Sequence, residues 1–262
     1  MKTITSNKNP VIQRAKSLQT AKGRKAEQAY WLDGEHMVSE AIAYCSADIE
    51  AVYVAEEKVE HYKELLEKLP DTAMQYSIPM TMFTQIAQVK TPQGISAICT
   101  LPEMKPISTF GKKLVLLENV QDPGNVGTIL RTMDAAGFDG ALLSEGCADP
   151  YSAKVLRSTM GSIFRVPVHF ISNVAQTVEE LNKQGYTTIA SCLQGEAFYE
   201  RDKVETPLCV LVGNEGAGLG ETSIQACTNR YKLPMLGGSE SLNVAIATAI
   251  FLYDLSFGKT NK

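Results

Sequence analysis

Apolar and polar positions alternate in short blocks along the first hundred residues. Residues 30–33, 49–54, 74–77 and 95–100 are brief runs rich in β-branched and aromatic side chains, which predicts strands. Between them, residues 35–44, 60–69 and 80–89 repeat apolar positions at helical spacing. This alternation predicts a small α/β domain with a partly parallel sheet. Three breakers, Pro102, Pro106 and Gly111, then interrupt the pattern. They divide the chain into a first domain over residues 1–101 and a second over residues 112–262.

The second region alternates again. Strands are predicted at residues 114–117, 140–143, 164–168, 187–190, 208–212 and 230–233, and helices at 126–136, 151–159 and 241–256. Residues 208–212 form a continuous apolar run, the signature of a parallel strand buried on both faces. Three loops rich in Gly, Asn and Ser, at residues 118–131, 211–219 and 233–243, lie at the carboxyl ends of such strands. Taken singly, each reads as an ordinary turn. Ligands of open α/β sheets gather at these ends, so together they are the candidate site.

Composition narrows the picture. With 262 residues, 44% of them hydrophobic, the chain can bury a substantial core. The longest apolar stretch, residues 244–255, is interrupted by Thr248, Tyr253 and Asp254 and is too short to cross a bilayer. No apolar h-region follows the N-terminus, so no secretory signal is expected. Cys45, Cys99, Cys147, Cys192, Cys209 and Cys227 are scattered without a CxxC pair, which fits buried thiols in a reducing cytosol. His36, His61 and His169 share no ligand spacing, and no metal is expected.

The net charge of −4 argues against a nucleic-acid partner, but the distribution argues for one. Lys2, Lys8, Arg14, Lys16, Lys22, Arg24 and Lys25 all precede the first acid, Glu27. Such a basic arm is a candidate phosphate-binding patch; a merely solvated helix face is the competing reading.

Each loop carries specific chemistry. Asn125 is a candidate N-cap for the helix that follows it. Arg131 falls in the second turn of that helix, from which a guanidinium can reach back and grip a phosphate with two hydrogen bonds. Glu215 is the one charge among Gly213, Gly216, Gly218 and Gly220, whose backbone can approach a ligand closely. Ser241 is a candidate cap for the last helix, with Asn243 in its first turn. A dinucleotide fingerprint is missing from the strand–helix junctions, and Gly258-Lys259-Thr260 lacks the upstream glycine of a P-loop.

As an ordered set, the three loops resemble the motifs of the SpoU family of RNA ribose 2′-O-methyltransferases, in the SPOUT superfamily, over roughly residues 112–257. The resemblance implies an α/β fold whose mostly parallel C-terminal sheet is tied in a deep trefoil knot, with S-adenosylmethionine as cofactor. By motif position it places Gly213, Leu233 and Leu242 around the cofactor, and Asn125, Arg131, Glu215, Ser241 and Asn243 in the catalytic group. It implies homodimers that meet at the knot. Residues 157–161 resemble the family's RNA-facing segment.

The N-terminal part resembles the L30e-like substrate-binding domain attached to many such enzymes, through Ser6, Asn9, Pro10, Gly34, Glu35 and residues 91–95. RNA is therefore the expected partner, ribosomal RNA rather than tRNA, with Lys8, Arg14, Lys16, Arg24, Lys25 and Arg157 as candidate contacts. The alternatives are a tRNA enzyme, a methyltransferase acting on a base, or a non-catalytic RNA-binding protein on the same scaffold. A guanidinium offers donors and no acceptor. Arg131 is thus expected to clamp phosphate, with a phosphate oxygen or else Glu215 taking the proton.

Overall fold

The computed structural model describes residues 1–258, so Lys259 and Thr260 of the P-loop look-alike lie outside the described residues. The chain divides into two compact units, residues 1–103 with 149–164, and residues 104–148 with 165–262.

The first unit begins with a short strand, β1 (Lys2–Thr3), and two helices, α1 (Pro10–Ser17) and α2 (Ala21–Glu27). Then come β2 (Ala29–Asp33), α3 (Glu35–Cys45), β3 (Ile49–Ala55), α4 (Lys63–Leu66), β4 (Met74–Ile78), α5 (Met80–Ile86) and β5 (Ile95–Thr100). The sheet order is β1-β4-β3-β5-β2. The β1, β4 and β3 strands run parallel, and β5 is antiparallel to both β3 and β2. The predicted helix over residues 60–69 shortens to α4. Its last turn closes by Lys68 N–H to Leu65 O and Leu69 N–H to Leu66 O bonds, just before Pro70. A proline disfavours helical backbone in the residue ahead of it.

The basic arm is not an arm. Asn9 caps α1 by accepting from Val11 N–H at 3.0 Å, with Pro10 at the first helical position. Between the charges, Ile12, Ala15 and Leu18 are fully buried in a core that includes Trp31, Tyr53 and Phe83. Basic residues here decorate the outside of a helix whose other face holds the domain together.

In the second unit, β6 (Lys113–Leu117), α6 (Pro123–Ala136) and β7 (Gly140–Ser144) follow one another. Helix α7 (Ala153–Thr159) packs with the first unit instead, although the sequence pattern assigns it to the second domain. The cause is specific pairing: Asp149 accepts from Arg24 Nε at 2.9 Å, and Tyr151 packs at a tilt of 47° against Tyr30 with ring centroids 5.0 Å apart. The chain then forms β8 (Val168–Ile171), α8 (Val174–Lys183), β9 (Thr187–Ala197), β10 (Leu208–Val212), α9 (Glu221–Ala226), β11 (Asn229–Lys232) and α10 (Val244–Phe257).

This second sheet is parallel at every pairing, in the order β11-β9-β10-β6-β7-β8. Its central strands, β6 and β10, are buried on both faces, as their unbroken apolar runs require. The strand predicted at residues 164–168 forms later, as β8, because residues 162–164 make a 3₁₀ turn and Pro167 has no N–H for a ladder. Helices α8 and α9 were not predicted.

Candidate active site

The central strands deliver the first two motif loops side by side. Residue 118 follows β6 directly, and its N–H donates to Val212 O at the end of β10. Asp122, rather than Asn125, is the N-cap of α6: its Oδ1 accepts from Asn125 N–H at 3.0 Å, and Pro123 occupies the first helical position. An Asp-Pro pair at a helix start is a strong signal that spacing from Asn125 obscured. Asn125 therefore lies inside the first turn, which leaves its side chain free to bond elsewhere.

It does so in two directions. Asn125 Nδ2 donates to Glu215 Oε1 at 2.9 Å, while Asn125 Oδ1 accepts from Asn243 Nδ2 at 3.0 Å. Asn243, not Ser241, caps α10, its Oδ1 accepting from Ala245 N–H at 2.9 Å and Ile246 N–H at 3.3 Å. A carboxylate can only accept and a backbone N–H can only donate. These two ends fix the orientation of both amides, so the path from α10 through Asn243 and Asn125 to Glu215 runs one way.

Glu215 closes the arrangement. Its Oε1 also accepts from Asp122 N–H at 3.0 Å, and its Oε2 from Gln121 N–H at 3.2 Å. Burial works to raise its pKa, but the Asn125 amide and the backbone donors of the first motif outweigh that and hold the carboxyl below the ordinary carboxylate value. Asn214 reinforces the clasp by donating to Asn119 O at 2.9 Å and accepting from Gly216 and Ala217 N–H at 3.0 Å each. Sequence reading missed Asp122 and Asn214.

The second loop is narrow by construction. A Cβ on Gly213 would meet the Gly218 carbonyl carbon at 2.2 Å, and Gly218 adopts a left-handed φ of 70°. Glycine is required at 213 by contact and favoured at 218 by conformation.

Of the five expected catalytic residues, the structure joins Asn125, Glu215 and Asn243. Arg131 is exposed on α6 and has no bonding partner among the described residues. Ser241 is exposed ahead of α10, outside the bonded path. Of the expected cofactor positions, Gly213 is buried, Leu233 half-buried just after β11, and Leu242 37% exposed. Leu236 in the same loop is fully exposed. Uncovered leucines on a loop with open glycines suit a ligand that pairs an apolar ring with polar edges, which is the chemistry of S-adenosylmethionine. Among the described residues no cluster of three or more His, Cys, Asp or Glu could hold a metal.

The expected RNA contacts divide. Lys8, Lys25 and Arg157 are exposed, and Lys16 is half-buried. Arg14 is bonded to Glu27 at 3.0 Å and to Glu50 at 2.6 Å. Arg24 is 6% exposed and bonded to Asp149 and to Leu18 O, so it has no free face for phosphate.

Known proteins are similar to this chain over nearly its whole length. A Bacillus subtilis relative, the 23S rRNA (guanosine(2553)-2′-O)-methyltransferase RlmP, is 36% identical and covers 97% of this chain and 99% of its own. A Porphyromonas gingivalis structure assigned to the TrmH family of RNA methyltransferases superposes with a TM-score of 0.82 at 32% identity, over 93% of this chain and 95% of that one. The AdoMet-bound rRNA methyltransferase of Sinorhizobium meliloti gives a TM-score of 0.82 at 27% identity, over 97% of both chains. The MRM3-like substrate binding domain matches residues 9–97, and the SpoU rRNA methylase family matches residues 112–253. With three motif loops tied at the strand ends and this likeness along its whole length, the chain belongs to the SpoU rRNA methylase family.

Proposed function

We propose that this enzyme methylates 23S ribosomal RNA in the cytoplasm, as a homodimer joined through a knotted C-terminal region, with Arg131 gripping the target phosphate. As a SpoU-family member it is an S-adenosylmethionine-dependent RNA 2′-O-methyltransferase. The observation that carries the reading is the one-way path Asn243–Asn125–Glu215, which locks three loops together beside a helix whose Arg131 has no partner among the described residues. Ribosomal RNA is supported by the full-length likeness to RlmP and by the substrate-binding domain.

Helix α10 supports the homodimer. Phe251 and Leu252 are buried, yet Ile246, Tyr253 and Phe257 on another side are 54%, 47% and 72% exposed. A helix apolar on all sides is normally covered on all sides, and a second copy of α10 is the matching cover. Among the described residues no helix is long and apolar enough to cross a membrane.

S-adenosylmethionine supplies a methyl group activated by its sulfonium charge. Gly213, Leu233 and Leu242 would hold it, beside main chain made approachable by glycine. The chain's own groups do the rest. Arg131, a planar cation with donors only, fixes the phosphate next to the reacting ribose and stabilises charge developing on the 2′-oxygen. A phosphate oxygen takes the hydroxyl proton. Glu215 is a clasp, since both of its oxygens already accept from the first motif loop. Ser241 is exposed two residues ahead of Asn243 and is available to the substrate.

Ribose methylation mapped across all RNAs in a parent strain and one lacking this gene tests the target. The expected difference is a 23S ribosomal site, restored by the parent gene and not by Arg131→Ala. A difference confined to tRNA would reassign the substrate.

A further inference from the structure

Besides the motif loops, the second unit carries a cleft of about 360 Å³ at the carboxyl ends of β6, β7 and β8. Strand order reverses at β6, with β7 and β8 to one side and β10, β9 and β11 to the other. That is where α/β sheets receive ligands. The volume is within the range of small-molecule sites.

Part of the wall is already bonded. Glu118 accepts from Gly220 N–H at 3.0 Å and Ser223 Oγ at 2.9 Å. Asn119 sits in a left-handed conformation, φ 55°, with its N–H donating to Ser144 Oγ at 2.9 Å. Two sets of groups remain open. The Glu145 carboxylate is exposed and has no partner among the described residues. At the start of α8, Asn173 accepts from Gln176 N–H at 3.0 Å, which leaves the N–H groups of Val174 and Ala175, the first two of the helix, without a bond among the described residues. Of these residues, all but Gly220 and Gln176 line the cleft.

The lining contains no Lys or Arg and has two carboxylates, so a phosphate is disfavoured. A cation would meet only one unengaged carboxylate, together with the positive end of α8. What the cleft offers is an acceptor pair and a donor pair. Among RNA bases, only guanine sets a carbonyl acceptor beside two N–H donors on one edge. Adenine lacks the carbonyl, cytosine has an acceptor ring nitrogen, and uracil has one N–H between two carbonyls.

We infer that this cleft holds a guanine base of the RNA substrate, Glu145 accepting from its N1–H and 2-amino groups and the first turn of α8 donating to its O6. The inference rests on the RNA-methyltransferase reading for its biological meaning, but its chemistry is testable without methyl transfer. Glu118 and Asn119 belong to the same loop that Glu215 clasps through Gln121 and Asp122, so a base seated here touches the segment that organises the active site.

The experiment is an NMR titration of the full-length protein with GMP, IMP and AMP at millimolar concentration, without RNA. Signals of residues 144–146 and 172–175 should shift with GMP at an affinity at least about tenfold above that for AMP, a preference of the size a carboxylate–base pair gives. IMP, which lacks the 2-amino group, should fall between them. Glu145→Gln should abolish the preference while S-adenosylmethionine affinity holds, and Glu179→Gln on the exposed part of α8 should leave the preference intact. Equal affinity for GMP and AMP, no shift at these residues, or a preference that survives Glu145→Gln would overturn the assignment. Should the preference appear in a protein that methylates no RNA, the cleft stands and the RNA reading falls.

Discussion

Arginines in the two units illustrate opposite uses of the same side chain. In the first unit Arg24 is 6% exposed, bonded to Asp149 at 2.9 Å through Nε and to Leu18 O, and Arg14 holds two glutamates. In the second, Arg131 is exposed and has no partner among the described residues, while the polar residues around its loop bond to one another. Charge that looks available in a sequence can be structural, and the residue proposed to grip phosphate can look like any surface arginine. Burial and partners decide, not position in a basic run.

Arg131→Ala should give the largest change. Alanine is the best helix former, so folding and cofactor affinity should stay near parental values. Single-turnover methyl transfer should fall by about 10²–10³-fold, the usual cost of losing a transition-state electrostatic contact. Arg131→Lys should recover little, because an ammonium lacks the planar two-pronged grip.

The mirror experiment is Arg24→Ala, which should act on stability. It leaves Asp149 without its cation; breaking a buried pair costs about 3–5 kcal/mol, and the one-third exposure of Asp149 lowers this to about 2–3 kcal/mol. Denaturant melts of the two variants would reverse the comparison if Arg24→Ala proved neutral and Arg131→Ala did not.

A smaller effect separates structural from RNA-facing charges within the first unit. Replacing exposed Lys8 and Lys25 with Gln should lower RNA affinity several-fold and reduce the salt slope by about one per charge, with melting unchanged. Deleting residues 1–25 is not an equivalent test, because it removes Ile12, Ala15 and Leu18 from the core.

The smallest effect concerns pH. The Glu215 carboxyl is held below its ordinary pKa in the folded protein, so its clasp is fully present above the unfolded value and is lost as pH falls through the folded one. The Asn125 side-chain amide signal should therefore titrate below the ordinary glutamate value, and Glu215→Gln should flatten that titration. A midpoint at or above that value would mean the carboxylate is not held as described.

Much of this was readable in advance, for physical reasons. Runs such as Leu208–Val212 announce parallel strands buried on both faces, and the glycine loops after them mark the strand ends where ligands of such sheets gather. The caps were misassigned. Asp122 and Asn243 hold the helix ends where Asn125 and Ser241 were expected, since Asn, Asp and Ser are nearly equivalent caps and only the bonded geometry chooses. The partner of Arg24 lies 125 residues away, beyond any local pattern. Helix α8 was missed, although its Asn173 cap and its buried Thr177, Val178 and Leu181 follow ordinary rules.

The most direct test of the central claim is the chemical identity of the product. A 23S ribosomal RNA transcript would be incubated with excess enzyme and methyl-labelled S-adenosylmethionine, digested to nucleosides and analysed by mass spectrometry. The account predicts one 2′-O-methylated nucleoside, with the label on the ribose fragment. Label on a base, or bound cofactor with no transfer to this RNA, would contradict it.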